Sequence, residues 1–154
     1  MEISKVTLRH DATPNDSKLD YAVSQLQRLL EILNQKELPL DLIAKVNIHV
    51  SELNSSSLSG KSLLGFVKKK QNKIVMLVEK EAKIVPINYY RNLWFILGMS
   101  IFGLPIGFAL AISIGNMAFL GTGFPIGIGV GMAYGMSLDN KAKEEGRQLD
   151  IELK

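Results

Sequence analysis

The chain has 154 residues and a formal net charge of +3, and a length of this order is typical of one domain. It contains no cysteine, which excludes disulfides, thiolate metal sites and a cysteine nucleophile. The basic excess is small and no basic stripe interleaved with aromatics accompanies it, so a nucleic-acid partner is not favoured.

The charged residues divide the sequence into three zones. Residues 92–138 contain no Asp, Glu, Lys, Arg or His, whereas the zones on either side are charged. The N-terminus is hydrophilic and has no signal-peptide core, so the uncharged zone must itself insert into a membrane. We predict an all-α membrane protein with a soluble cytoplasmic helical head over residues 1–86, a transmembrane hairpin over residues 87–138 and a charged amphipathic tail over residues 139–154.

The head is predicted to hold three helices. Apolar residues in steps of three and one form a stripe between residues 17 and 35, and a second stripe covers about residues 39–53. Residues 61–85 fit either a third helix or a buried strand, and a helix is favoured because Gly65 is the one breaker in this stretch. Before the first helix we expect a turn at residues 11–16 and a short strand that contains Ile3, Val6 and Leu8.

The uncharged zone is too long for one membrane crossing. A helix over residues 92–138 would be about 70 Å long, while the hydrocarbon core of a bilayer is about 30 Å thick. Two spans of about 20 residues fit this thickness, at about residues 93–114 and 118–138, with Gly115 and Asn116 in the turn.

The residues that flank the spans predict their orientation. Lys and Arg precede the first span and follow the second, and the turn carries no charge. The positive-inside rule then places both termini in the cytoplasm. Tyr89, Tyr90 and Trp94 stand where an interfacial aromatic belt is expected.

A short repeat runs through the two spans. Gly103-Leu-Pro105-Ile-Gly107 recurs as Gly123-Phe-Pro125-Ile-Gly127. Each copy belongs to a row of small residues at every fourth position, which forms a smooth groove on one helix face and allows close helix packing. The predicted helix-packing residues are Gly103, Gly107, Ala111, Gly115, Gly123, Gly127, Gly131 and Gly135. Pro105 and Pro125 are each predicted to kink their helix.

The sequence leaves open what these two grooves contact. Gly98, Gly121 and Gly129 are further small residues that are predicted to lie off the grooves, and they favour homo-oligomerisation. The alternative is that the hairpin closes on itself.

The glycine pattern also supports a family resemblance. The pattern Gly-Leu-Pro-Ile-Gly … Gly-Asn-Met … Gly-Phe-Pro-Ile-Gly-Ile-Gly-Val-Gly, followed by the charged stretch from Leu138 to Arg147, resembles the small bacterial glycine-zipper membrane proteins with two spans. The resemblance covers about residues 86–150. It implies the architecture and a location in the bacterial inner (cytoplasmic) membrane, and it implies no reaction.

One basic cluster stands near the first span. It consists of Lys68, Lys69, Lys70 and Lys73. Each charge near an anionic membrane surface is worth roughly 1 kcal/mol, so the cluster is predicted to contact lipid headgroups. The alternative is a solvated helix face.

No motif for catalysis or cofactor binding is complete. The two histidines, His10 and His49, lack the partners of a metal site. Ser59-Gly60-Lys61-Ser62 resembles the end of a phosphate-binding loop, but Ser55 stands where the upstream glycine is required. Three acidic residues lack the glycine and final glutamate of a calcium loop and suit helix capping; they are Asp11, Asp16 and Asp20. We therefore predict no enzyme activity, no cofactor and no metal.

Two functions remain open from the sequence. The first, favoured by the regular glycine spacing, is an oligomeric assembly that forms a pore or perturbs the membrane, with Ser113, Asn116 and Thr122 as polar lining. The second is a membrane anchor or scaffold whose cytoplasmic head recruits a protein partner. The spans hold no carboxylate or histidine at depth, which argues against a pump or a coupled transporter.

Overall fold

The computed structural model describes residues 2–8 and 17–153, and in these residues the regular secondary structure is helical, without a β-strand. The all-α prediction is confirmed to this extent. His10 and the predicted turn and capping residues at 11–16 lie outside the described residues. The chain forms two compact units, one made of Met1–Val85 with Leu149–Lys154 and the other of Pro86–Gln148. They are called the N-terminal unit and the hairpin unit below.

Three helices build the N-terminal unit. They are α1 (Ser17–Asn34), α2 (Leu40–Asn54) and α3 (Gly60–Ala82), and both α1 and α2 pack against α3. The alternative of a strand at residues 61–85 is therefore ruled out. Helical spacing explains this, because the buried residues of α3 follow one another in steps of four, three and one and so share one helix face; they are Leu63, Val67, Lys70, Gln71, Ile74, Val75 and Val78.

The core of this unit is completed by residues that follow the hairpin unit. Leu149 and Ile151 are both buried, and the Leu149 N–H donates to the carbonyl oxygen of Val85 at 2.8 Å. These residues had been predicted to belong to one amphipathic tail after residue 138. Instead, the last hairpin helix continues to Glu144, and residues 149–153 belong to the N-terminal unit.

Residues 2–8 are extended, and Ile3 and Val6 are each only 4% exposed. The predicted strand is nevertheless wrong, because the backbone of this segment bonds to side-chain amides of α1 and α2 and pairs with no other strand in the described part of the chain. The apolar residues Ile3 and Val6 are buried, but the backbone of the segment bonds to side chains and not to a neighbouring strand.

Two helical arms form the hairpin unit. The first consists of α4 (Tyr89–Gly98), a π-helical turn (Met99–Gly103) and α5 (Leu104–Ile114). The second consists of a 3-10 helix (Met117–Thr122) and α6 (Gly123–Glu144). Both arms are long and apolar enough to cross a membrane. Gly115 joins them with a φ of +71°, a left-handed conformation that favours glycine after a helix.

Candidate functional site

The two arms of the hairpin touch through their backbones. A Cβ atom built on Gly127 would lie 2.3 Å from the backbone nitrogen of Gly103, and one on Gly123 would lie 2.3 Å from that of Gly107. No real Cβ has room at such distances, so these contacts require glycine. The buried interface residues are Gly98, Gly103, Gly107, Ala111, Gly123, Gly127, Gly131 and Gly135.

The two units differ in the size of the side chains that they bury. The hairpin buries small residues and exposes large apolar ones; Ile96 is 60% exposed and Ile112 is 61% exposed. Phe108, Val130 and Met136 are exposed as well. The N-terminal unit instead has an apolar core of large side chains, among them Leu26, Leu42 and Val67. Large exposed apolar surfaces mark sites of contact with another protein or with a membrane.

The π-helical turn explains why the sequence misplaced Gly98. Gly98 and Gly103 are five residues apart, so a spacing of four places Gly98 off the groove. In the π-helical turn, the N–H of Leu104 donates to the carbonyl of Met99, five residues earlier, and this wider turn brings both glycines to one face. A Cβ on Gly98 would lie 2.5 Å from the carbonyl oxygen of Gly127. Pro105, which has no N–H, is the second residue of the α5 helix that follows this turn.

Two predicted packing and kink residues have other roles. Gly115 lies in the turn, and a Cβ on it would meet nothing within 4 Å, so it does not contribute to the interface. Pro125 is the third residue of α6 and lies just after the junction with the preceding 3-10 helix.

The predicted polar lining residues bond locally at the turn. The Asn116 side chain accepts a hydrogen bond from the Ala118 N–H at 2.9 Å, and the Thr122 hydroxyl donates to the Phe119 carbonyl at 2.6 Å. Ser113 is exposed. Asn116 and Thr122 thus stabilise the connection between the two arms.

At the opposite end of the arms, a buried carboxylate caps a helix. Asp139 of α6 is 6% exposed and accepts the N–H groups of Tyr90 at 3.0 Å and Arg91 at 2.8 Å. These donors lie at the start of α4, where helix N–H groups lack intrahelical partners. The Trp94 ring packs edge-on against Tyr134 nearby, with centroids 4.5 Å apart. No sequence pattern indicated the cap, because its partners are 48 and 49 residues away.

The basic cluster on α3 is divided by burial. Lys68, Lys69 and Lys73 are exposed, as their predicted contact with lipid requires. Lys70 is 6% exposed and pairs with Glu52 of α2, so it is withdrawn from the surface that the other three lysines present. Burial lowers the pKa of the Lys70 ammonium, and Lys73 lowers it further.

His49 lies beside the ion pair of Lys70 and Glu52. Its Nδ1 is buried without a hydrogen-bond partner, 3.8 Å from the Glu52 carboxylate that Lys70 engages. Burial lowers the pKa of His49 from the usual 6.5, and the positive charges of Lys70 and Lys73 lower it further. The folded chain therefore binds a proton at His49 less readily than the unfolded chain does.

We expect the N-terminal unit to lose stability on acidification through this group. Because the pKa is lower in the folded state, unfolding takes up a proton once the pH falls to about 6.5 and below. The melting temperature should fall between about pH 7.5 and pH 5, and the slope should be shallower in His49→Gln. Equal slopes in the two proteins would contradict this assignment.

A cleft between α1 and α2 holds the extended residues 2–8. Three asparagine side chains each bond to one N–H and one carbonyl of this segment, at distances of 2.7–3.2 Å; they are Asn34 of α1 and Asn47 and Asn54 of α2. Gln27 of α1 donates to the Val6 carbonyl at 3.2 Å. These residues were not predicted from the sequence, although asparagines seven apart on one helix face were a visible signal.

Among the described residues, no group of three or more His, Cys, Asp or Glu side chains could hold a metal ion. Comparison of the chain with family models, curated proteins and solved structures finds no match.

Proposed function

We propose that this chain is a two-span membrane anchor that holds its N-terminal unit at the cytoplasmic face of a bacterial inner membrane, where the unit recruits a protein partner. The inverted burial of the hairpin unit carries the proposal. Its glycines are inside and its large apolar side chains are outside, an arrangement that is costly in water and favourable in lipid.

The dimensions of the hairpin fit a bilayer. Residues 93–114 would span about 33 Å as a helix, close to the hydrocarbon thickness of about 30 Å. Arg91 and Asp139 are the first charged residues on either side of the uncharged zone, and the bond from the Arg91 N–H to Asp139 sets them at one level. Tyr90 and Trp94 mark the same level as a membrane interface.

The chain ends of the hairpin support the orientation. Val85 and Leu149, which stand just before and just after the hairpin unit, are joined by a hydrogen bond. Both arms therefore start from one side of the membrane. Basic residues flank both arms, so the positive-inside rule assigns this side to the cytoplasm. Lys68, Lys69 and Lys73 would then contact anionic headgroups.

The use of the glycines favours an anchor over an oligomeric pore. A pore built on the glycine faces needs those faces for contacts between chains, but they lie against each other within one chain. Gly121 and Gly129 lie outside the interface, and a Cβ atom on either of them would meet nothing within 4 Å.

Topology mapping tests the anchor. The chain has no native cysteine, so Ser113→Cys near the turn and Ser57→Cys in the N-terminal unit can each be labelled alone. In intact bacterial spheroplasts, a membrane-impermeant maleimide should label Ser113→Cys, and it should reach Ser57→Cys only after permeabilisation. Alkaline carbonate should leave the protein in the membrane. The reverse labelling pattern, or release by carbonate, would refute the proposal.

Ion flux distinguishes the anchor from a pore. Liposomes that hold the purified chain should retain a potassium gradient as well as empty liposomes do. Flux that is lost in Gly131→Leu, whose Cβ would lie 2.2 Å from the carbonyl oxygen of Trp94, would instead support a conducting assembly built on the glycine interface.

A further inference from the structure

We propose that the cleft between α1 and α2 is a binding site for an extended peptide segment of a partner protein, and that residues 2–8 are its resident intramolecular competitor. This inference names the partner class and the site for the recruitment proposed above, and it rests on that proposal only for its location at a membrane. The occupied cleft itself provides the argument.

The cleft recognises backbone. Asn47 accepts from the Ser4 N–H and donates to the Glu2 carbonyl, and Asn54 does the same with the Thr7 N–H and the Lys5 carbonyl. A primary amide has one acceptor and two donors, so each asparagine replaces the N–H and carbonyl that a neighbouring strand would offer. Such contacts bind any extended chain, as main-chain bonds do in strand addition.

The spacing of these amides matches an extended peptide. Asn47 and Asn54 are seven residues apart on α2, which is about 10.5 Å along the helix axis. Their targets on the segment are three residues apart, which is about 9.3 Å in a polyproline II conformation. The distance covered by two turns of α2 therefore nearly equals the length of three residues of extended peptide.

The opposite wall of the cleft has the same period. Gln27 and Asn34 are also seven residues apart, on α1, and they contact Val6 and Ile3, again three residues apart. The segment runs antiparallel to α1 and parallel to α2. A site for an extended chain requires polar side chains at the same seven-residue spacing on both helices. A single local turn of the backbone would not require this repetition.

Two apolar side chains provide the selectivity. Ile3 and Val6 are buried, whereas Ser4 and Lys5 between them are exposed. Side chains three residues apart share a face in the polyproline II conformation, so the cleft selects an aliphatic residue at every third position. Lys5 of the segment and Glu31 of α1 line the same cavity, which favours a basic residue just before the second aliphatic residue.

The resident segment leaves part of the cleft unfilled. A cavity of about 220 Å³ lies between the segment and α1, lined in part by Gln27, Glu31 and Asn34. A groove of about 410 Å³ continues along α1 past Leu8 to Asp20, seven residues before Gln27. A peptide with larger aliphatic residues at the two buried positions would therefore fill the cleft better than residues 2–8 do.

The test frees the cleft in the full chain and adds the peptide in trans. Ser4→Pro with Thr7→Pro removes two N–H donors of the resident segment and leaves α1–α3 unchanged. The probe is a fluorescent peptide with the sequence of residues 2–8, Glu-Ile-Ser-Lys-Val-Thr-Leu, measured by anisotropy in detergent micelles. We expect it to bind the double variant at least about ten-fold more tightly than the wild-type chain, where the resident segment competes.

Matched variants show whether the cleft is the site. In the double-proline background, Asn47→Leu with Asn54→Leu should abolish binding, whereas the same substitution at the exposed Asn72 of α3 should leave it unchanged. A peptide with its aliphatic residues placed side by side should not bind. Circular dichroism checks that each variant keeps its helices. If the proline variant loses its helices, a deletion of residues 2–8 serves as a second form of the chain with an unoccupied cleft.

Three results would overturn the inference. They are no binding to either unoccupied form while its helices are intact, binding that survives loss of both asparagines, and equal binding of the rearranged peptide. A wild-type chain whose residues 2–8 enter the cleft of the variant to form a dimer, detected by light scattering, would assign the cleft to a second copy and also overturn it. Carbonate extraction is a separate measurement, so the peptide-binding result can be interpreted even if the membrane proposal fails.

Discussion

Gly127→Leu is expected to separate the two arms of the hairpin, while Gly129→Leu, two residues away, leaves them packed. A Cβ at Gly127 would lie 2.3 Å from the nitrogen and 2.6 Å from the Cα of Gly103, whereas one at Gly129 meets nothing within 4 Å. Both variants gain the same helix propensity, about 0.8–1 kcal/mol. Their difference therefore isolates the contact.

The cost at Gly127 should reach or exceed the upper end of the usual range for overpacking, about 1–3 kcal/mol. The obstacle is backbone, which cannot rotate aside as a side chain can. Trp94 is the one tryptophan of the chain, and its ring packs on Tyr134 across the interface. Its emission and the thermal unfolding of the hairpin in micelles should change in Gly127→Leu alone. Equal behaviour of the two variants would refute the backbone contact.

Asp139→Ala is expected to release the start of α4 from α6. The substitution leaves the N–H groups of Tyr90 and Arg91 without their acceptor. Hydrogen bonds to a charged group are worth about 1.5–3 kcal/mol each, and water replaces part of this at a half-exposed helix end, so we expect a loss of about 2–4 kcal/mol.

Hydrogen exchange at Tyr90 and Arg91 measures this effect directly. Both amides should exchange faster in Asp139→Ala, and Asp139→Asn, which keeps one carbonyl acceptor, should lie between that variant and the wild type. Asn140→Ala, at the exposed neighbouring position, is the control and should behave as the wild type. Unchanged exchange in Asp139→Ala would show that the carboxylate is not the cap.

The sequence predicted those features that depend on a regular period. The stripe of α1 indicated a helix, and the spacing of Gly123, Gly127, Gly131 and Gly135 placed these buried glycines on one helix face, because a regular helix returns to one face every three or four residues. The place of Gly98 in the interface was not predicted, because a π-helical turn interrupts the regular period at this point. The helical spacing of the apolar residues on α3 would have predicted that Lys70 is buried, but its charge suggested that it is exposed.

Long-range polar contacts could not be predicted in this way. Asp139 stands at the edge of the uncharged zone and looks like an ordinary flanking charge, and its partners follow from how the arms meet. Asn34 and Asn47 likewise resemble exposed helix residues until residues 2–8 lie between them. A hydrogen bond from a polar side chain to the backbone does not depend on the side chains of the bound segment. The sequence of that segment therefore contains no pattern that predicts the contact.

The bond between Val85 and Leu149 has a consequence for biosynthesis. Residues 17–85 are synthesised before the hairpin unit, yet their core lacks Leu149 and Ile151 until residues 86–148 have been translated. The N-terminal unit can therefore complete its fold only after both arms have left the ribosome. In the proposed membrane anchor, a nascent chain whose second arm failed to insert would leave Leu149 on the wrong side of the membrane, and the incomplete apolar core would be exposed to proteases and chaperones.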